Sequence, residues 1–286
     1  MSDTNQNTSA TSGSGVPGSE FSPRTAIVTG SDSGIGRATA VALARAGMDV
    51  GITYHSDADG AEETARLVRE LGRAAEVTRL DTTEAPQCGD VIDDLAERLG
   101  GLDVFVNNAG INGGPAFFDT DWDTWRTTVL ADLDGAFVCI QRAARRMVDG
   151  GRGGRLIAVT SVHEHQPLAG FAAYDAAKHG LGGLMKTIAI ELGHYGITSN
   201  SVAPGEIATP MNDATDADVS TTHRAGIPLG RPGAAGEVAA VIAFLASPSA
   251  SYVTGASWVV DGGMLQMGSQ AGAVIESDDW RNVSKG

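Results

Sequence analysis

Apolar residues recur along the chain in short β-branched runs, separated by longer segments of helical spacing. Thr25-Ala-Ile-Val-Thr29 is uncharged and compact, the pattern of a parallel strand buried on both faces. It breaks into Gly30-Ser-Asp-Ser-Gly34-Ile-Gly36, after which a helical pattern runs from Arg37 to Ala46 and stops at Gly47. The alternation repeats with a strand at Val50–Tyr54, a helix at Ala61–Leu71 ended by Gly72, a strand at Ala75–Leu80, a helix at Cys88–Leu99 and a strand at Val104–Val106. The spacing then predicts one long helix from Trp122 to Val148, a strand at Arg155–Thr160 and a second long helix from Ala172 to Tyr195. A strand at Thr198–Ala203, a helix at Glu237–Ala246 and a strand at Ser257–Val260 complete the series.

Strands alternating with helices of about ten or more residues imply βαβ units. The predicted fold is α/β, a single-domain Rossmann-type doubly wound parallel sheet with helices on both faces, spanning residues 24–263. A length of 286 residues suits one such domain. Residues 1–23 are rich in Ser, Gly, Thr and Asn, lack the basic start and apolar run of a signal peptide, and are expected to form a disordered tail. Residues 264–286 turn polar again and are expected to be an extended or partly ordered extension. Asn212 to Ala225 is polar and weakly patterned, which suggests a loop or short helices over a site.

A formal charge of −15 repels nucleic acid and anionic lipid, so neither is an expected partner. No stretch approaches the roughly 18 apolar residues of a membrane span. Cys88 and Cys139 form neither a disulfide framework nor a zinc pattern, and two reduced thiols fit the cytoplasm.

Three features carry chemistry. Gly30, Gly34 and Gly36 lie between the first strand and the first helix, where glycine permits close backbone approach and the helix N-terminus favours a pyrophosphate. The spacing is G-x-x-x-G-x-G rather than the commoner G-x-G-x-x-G, and a glycine cluster alone is often a plain turn. Tyr174 and Lys178 share one helix face. An ammonium near a phenol favours the phenolate, giving a group that trades protons with an alcohol or alkoxide. By itself such a pair is more often a solvated face. Ser161 closes the preceding strand, at the end where open α/β sheets build their sites.

Together Thr29-Gly-x-x-x-Gly-Ile-Gly36, Asn107-Asn-Ala-Gly110, Ser161, Tyr174-x-x-x-Lys178 and Pro204-Gly205 resemble the short-chain dehydrogenases/reductases, over about Thr25 to Gly263. Ser161-Val-His-Glu-His165 and Tyr252-Val-Thr-Gly-Ala…Asp261-Gly-Gly263 are similar to bacterial glucose dehydrogenases. Thr53-Tyr-His-Ser-Asp57 and Asp132-Leu-Asp-Gly-Ala-Phe137 are closer to acetoin- or diacetyl-reductase-like members. The resemblance implies Tyr174 as general acid/base, Lys178 as its activator and ribose ligand, and Ser161 as the group that orients the substrate carbonyl. It implies a dinucleotide held by the turn Gly30, Asp32, Ser33, Gly34, Ile35 and Gly36. Asn108, Ala109 and Gly110 would line the adenosine side with Asp81 and Thr82, while Pro204, Gly205, Ile207 and Thr209 would cover the nicotinamide. It also implies a homotetramer. One departure concerns Asp132, which stands where the family usually has Asn in the long middle helix; a buried carboxylate there would pair with Lys178.

The end of the second strand carries Tyr54, His55 and Ser56 instead of the acidic residue usual in NAD-preferring members. His55 and Ser56 are therefore expected to take a 2′-phosphate, which favours NADP, although Asp32 opposes a phosphate and NAD or dual use stays open. The substrate is expected to meet Ser161, His163, Glu164, Tyr174, Gly205, Glu206 and Met211. His163-Glu-His165 has no third ligand at metal-binding spacing, so no metal is expected. The chain reads as an NAD(P)-dependent carbonyl reductase or alcohol dehydrogenase for small ketones, diketones or hydroxy ketones. Alternatives are a glucose-type sugar dehydrogenase and, in another class, a non-catalytic cofactor-sensing regulator.

Overall fold

The computed structural model describes residues 21–210, 219, 221–267 and 277. In chain order the elements are β1 (Thr25–Val28), α1 (Gly34–Arg45), β2 (Asp49–Tyr54), α2 (Ala58–Glu70), β3 (Ala75–Arg79), α3 (Cys88–Arg98), β4 (Val104–Asn107), α4 (Trp122–Val129), α5 (Gly135–Gly150), β5 (Gly154–Val159) and α6 (Ala172–Leu192). They continue with β6 (Ile197–Pro204), β7 (Ile207–Ala208), β8 (Gly233–Ala234), α7 (Ala235–Ala246), β9 (Ser257–Val260) and α8 (Met264–Met267).

Alternate residues of each central strand feed two cores. Ala26 and Val28 of β1 meet Leu43 of α1, Val68 of α2 and Ile242 of α7 on one face. Ile27 meets Ile92 of α3, Ile140 of α5 and Leu181 of α6 on the other. β4 and β5 divide the same way, with Val104, Val106, Ile157 and Val159 on one side and Phe105, Leu156 and Ala158 on the other. Fully burying each large side chain contributes roughly 1.5–3 kcal/mol, so strands without a polar face are stable only between two helical layers. The seven strands pair in parallel in the order β3-β2-β1-β4-β5-β6-β9. The order reverses between β1 and β4, so their following loops diverge and open a crevice at the strand ends. This is the expected α/β fold.

The structure adjusts the sequence expectations at several points. α1 begins at Gly34, so the glycine turn supplies the first residues of the helix. The expected long helix is continuous from α4 into α5 but contains a π-helical turn at Leu130–Asp134. β7 and β8 form a separate parallel pair that the pattern did not reveal. Phe21, within the expected tail, is buried, with its ring centroid 4.0 Å from the Arg155 guanidinium carbon. Met264–Met267, at the start of the expected extension, is helical. Residues 1–20 of the tail, Met211 and most of the 212–225 segment, and all of the extension beyond Met267 except Ser277 lie outside the described residues. Among the described residues no helix is long and apolar enough to cross a membrane.

Candidate active site

A cavity of about 540 Å³ occupies the crevice beyond the strand ends. At one end stands the N-terminus of α1. Ser33 precedes it without a side-chain cap, and Ser33, Gly34, Ile35 and Gly36 all line the cavity. The leading N–H groups of the helix therefore face the cavity with the positive end of the helix dipole behind them. The turn is shaped for backbone approach. Gly30 has φ +60°, and a Cβ there would sit 3.0 Å from Ala109 Cα. A Cβ on Gly36 would stand 2.1 Å from Gly30 O. Thr29 Oγ1 accepts both Asn108 N–H and Ala109 N–H at 2.9 Å, and Asn108 Nδ2 donates to Thr29 O and Gly30 O. The β1 and β4 loops are thus locked together around an uncapped helix end. That cradle fits the pyrophosphate of a dinucleotide.

The chemistry-bearing side chains meet farther along the cavity. Ser161 lies just past β5 and is buried. Tyr174 and Lys178 are one turn apart near the start of α6, and both line the cavity with Ser161. Lys178 Nζ is 5.3 Å from the Tyr174 ring centroid. Asp132 sits in the π turn with no exposure; its Oδ2 faces Lys178 Nζ at 3.1 Å and its Oδ1 accepts Ile111 N–H at 2.8 Å. Burial on its own would lower the Lys178 pKa, but the negative charge of Asp132, aided by the hydrogen bond it accepts from the ammonium, helps outweigh it, and the pKa is raised overall. The expected Asp132–Lys178 pairing is therefore present. Gly110, expected on the adenosine side, instead lies against this pair: a Cβ there would come within 3.1 Å of Asp132 Oδ1 and 3.2 Å of Lys178 Nζ.

Of the other expected cofactor residues, Pro204, Gly205, Ile207 and Thr209 line the same cavity. Gly205 packs so closely on Asp261 that a Cβ would meet its Cβ at 2.7 Å. Asp32 is not part of the cavity wall; it accepts from Ser33 Oγ, while its backbone carbonyl is bound by Arg37. His55, Ser56, Asp81 and Thr82 stand at the ends of β2 and β3, outside the cavity proper. Asp81 accepts from Thr83 Oγ1 and N–H, faces His55 Nε2 at 3.2 Å and binds Arg79 at 3.1 Å. The Thr83 hydroxyl above all, with the Thr83 N–H and the contact to His55, holds its carboxyl below the usual range despite partial burial.

Among the expected substrate residues, His163 and Glu206 line the cavity, Glu206 as the partner of Arg224 at 2.7 Å. Glu164 is a correction. It is buried away from the cavity, accepts from Thr160 Oγ1 at 2.7 Å and Ser257 Oγ at 3.0 Å, and packs against Gly182 of α6. Residues 162–164 form a single 3₁₀ turn, in which neighbours point about 120° apart, so His163 and Glu164 point in different directions. The sequence reading missed Ile111, Asn112, Phe171 and Met264 in the cavity wall, and it missed Asp175 behind His163. Asp261 accepts the N–H groups of Gly263 and Leu265 at 2.7 Å, which fixes α8 and its Met264 beside the site.

A helix N-terminus shaped for a dinucleotide, set beside a serine, a tyrosine and a charged lysine, defines an NAD(P)-dependent oxidoreductase of CH–OH and C=O groups. A family model described as enoyl-(acyl carrier protein) reductase matches residues 30–265, and the chain belongs to the short-chain dehydrogenase/reductase family. The uncharacterized oxidoreductase YohF of Escherichia coli is 50% identical over 240 residues, covering 84% of this chain and 95% of that protein. The crystal structure of acetoin dehydrogenase YohF from Salmonella typhimurium superposes with a TM-score of 0.82 at 50% identity, covering 85% of this chain and 96% of the other. L-rhamnose 1-dehydrogenase (NAD(P)(+)) of a Sphingomonas strain is 40% identical over 249 residues, covering 84% of this chain and 96% of that protein.

Proposed function

We propose that this enzyme interconverts small ketones, diketones or hydroxy ketones with their alcohols, using NADP in preference to NAD. The observation that carries the reading is the placement of Ser161, Tyr174 and Lys178 on one cavity with the uncapped N-terminus of α1. Reduction needs a hydride at the carbonyl carbon and a proton at its oxygen. A bound nicotinamide supplies the hydride or takes it back. The Ser161 hydroxyl donates to the carbonyl oxygen and fixes it against Tyr174, whose phenol delivers the proton. Lys178, kept cationic by Asp132, places positive charge beside the phenol as its oxygen becomes negative. Oxidation runs the same transfers in reverse. The acetoin dehydrogenase activity of the Salmonella relative supports the substrate class.

The cofactor preference rests on the end of β2, where Tyr54 and His55 stand in place of a carboxylate, and on the His55 imidazole and the Arg79 guanidinium that flank Asp81. A sugar dehydrogenase is the second reading, favoured by Glu206 in the cavity wall and by the rhamnose dehydrogenase relative. A homotetramer in the cytoplasm completes the proposal; the free, buried thiols Cys88 and Cys139 suit a reducing compartment, and sedimentation equilibrium checks the assembly.

The decisive test is Tyr174→Phe, which keeps the ring and removes the proton. Turnover of acetoin, diacetyl and glucose is followed with NADPH and NADH. The expected result is a loss of about 100-fold or more in kcat with cofactor affinity retained by calorimetry. Undiminished turnover would reject the assigned acid/base, and cofactor binding by the wild type without turnover of any substrate would favour a sensor.

A further inference from the structure

The cavity holds a second titratable pair that the Ser161–Tyr174–Lys178 chemistry leaves unused. His163 Nδ1 lies 2.6 Å from Asp175 Oδ1, and the two side chains are only 12% and 11% exposed. The other carboxylate oxygen of Asp175 accepts Leu168 N–H at 3.0 Å, and Asp175 stands in the first turn of α6, where the helix dipole favours its charge. The imidazole is enclosed by rings. Its centroid is 5.0 Å from that of Phe171 and 5.4 Å from that of Tyr174, the latter ring nearly perpendicular at 81°. The position and rotation of His163 are therefore set on several sides.

What that fixation achieves follows from the donor and acceptor inventory. A carboxylate only accepts, so Nδ1 carries the hydrogen and a neutral ring is left with a lone pair on Nε2. Among the described residues Nε2 has no hydrogen-bond partner, and His163 lines the cavity next to the ring of Tyr174. A pair that served only to brace the fold would have no need to stand in the wall of a ligand space. The carboxylate of Glu206 already binds Arg224, and that of Asp132 binds Lys178, so neither is as free to accept from a substrate.

We infer that the Asp175-held imidazole of His163 selects substrates with a hydroxyl on the carbon next to the reacting carbon: an α-hydroxy ketone in reduction, a vicinal diol in oxidation. The inference rests on the carbonyl-reductase reading above and narrows it. The reacting oxygen sits at Ser161 and Tyr174, and the neighbouring hydroxyl donates to His163 Nε2. A simple ketone has no hydrogen to offer there, and a diketone presents a second acceptor to the lone pair.

The experiment compares kcat/KM for acetoin, 2-butanone and diacetyl in the wild-type full chain and three variants, with NADPH and NADH. The wild type is expected to favour acetoin over 2-butanone. His163→Leu lowers that ratio by about tenfold, the worth of one hydrogen bond at a desolvated site, and His163→Gln, which still accepts, restores part of it. In Asp175→Asn the amide donates to Nδ1 and moves the ring hydrogen to Nε2, so acetoin loses ground and diacetyl gains relative to it. Imidazole ¹⁵N shifts, which do not depend on turnover, report the tautomer of His163 in the wild type and in Asp175→Asn. Equal slowing of all three substrates in the variants, or a wild-type ring with hydrogen on Nε2, overturns the inference while leaving the reductase reading intact. A wild type that turns over no carbonyl with either cofactor overturns both.

Discussion

At the scale of single residues the site is organised by charge. Lys178 is buried, and an ammonium stripped of water is costly unless an anion lies beside it. Asp132 supplies that anion at 3.1 Å. Asp132→Asn keeps an acceptor for Ile111 N–H but leaves Lys178 without its counter-charge, and the expected cost at neutral pH is about 3 kcal/mol of stability. The sign with pH follows from the raised pKa of Lys178. Its contribution to stability is fully present below the ordinary value of 10.5 and is lost as pH rises through the higher folded-state value. In the variant, burial without a partner depresses the same pKa. The gap between the two unfolding curves should therefore be widest near neutrality and narrow above about pH 10.5, as read from denaturant titrations across pH. A constant gap would place the effect in packing. Asp132 was legible only through the family resemblance, which marks the position as one usually held by Asn and sets it near Lys178. Asp175 was not legible: it follows Tyr174 directly, and helical spacing gives no reason to expect it to meet a histidine twelve residues earlier.

At the scale of elements, two local departures from regular geometry place Asp132 and His163. The π turn at Leu130–Asp134 admits an extra residue between α4 and α5 and carries Asp132 toward Lys178. A π turn has no side-chain signature in a single sequence, whereas the apolar periodicity on either side of it does; the helix was therefore expected over nearly its full length and its defect was not. The 3₁₀ turn at 162–164 has the same standing, since it separates His163 from Glu164 and sends the latter into the packing of α6. The start of α1 is better specified, because Gly36 has a steric reason to be glycine. Gly36→Ala would drive a methyl group to 2.1 Å from Gly30 O and 2.7 Å from Asn108 Nδ2. The expected outcome is a folded protein about 1–3 kcal/mol less stable, with cofactor affinity reduced by about tenfold or more, measured by thermal melts and by calorimetry with NADPH. A variant that loses stability but binds cofactor as before would show that the turn is not the phosphate cradle.

At the scale of the whole molecule, the doubly wound parallel sheet was implied by the alternation of strand and helix, whereas the strand order with its reversal between β1 and β4 is set by packing, and the crevice it opens is where the motifs converge. Net charge acts over the same distances and in a way no motif shows. A chain with a formal charge of −15 surrounds itself with a potential that opposes anionic dinucleotides as they approach. NADPH, with its added phosphate, is opposed more than NADH. The Debye length falls from roughly 30 Å at 0.01 M salt to about 8 Å at 0.15 M, so salt removes the long-range repulsion before it touches contacts inside the crevice. KM for NADPH should therefore fall by about threefold as salt rises over that range, and KM for NADH by less. The competing local term comes from His55 and Arg79 at the ends of β2 and β3, which salt would weaken. A KM for NADPH that rises with salt would mean that these two side chains, the Arg79 charge above all, rather than the acidic surface, govern how the 2′-phosphate is met, and Arg79→Ala should then abolish the rise.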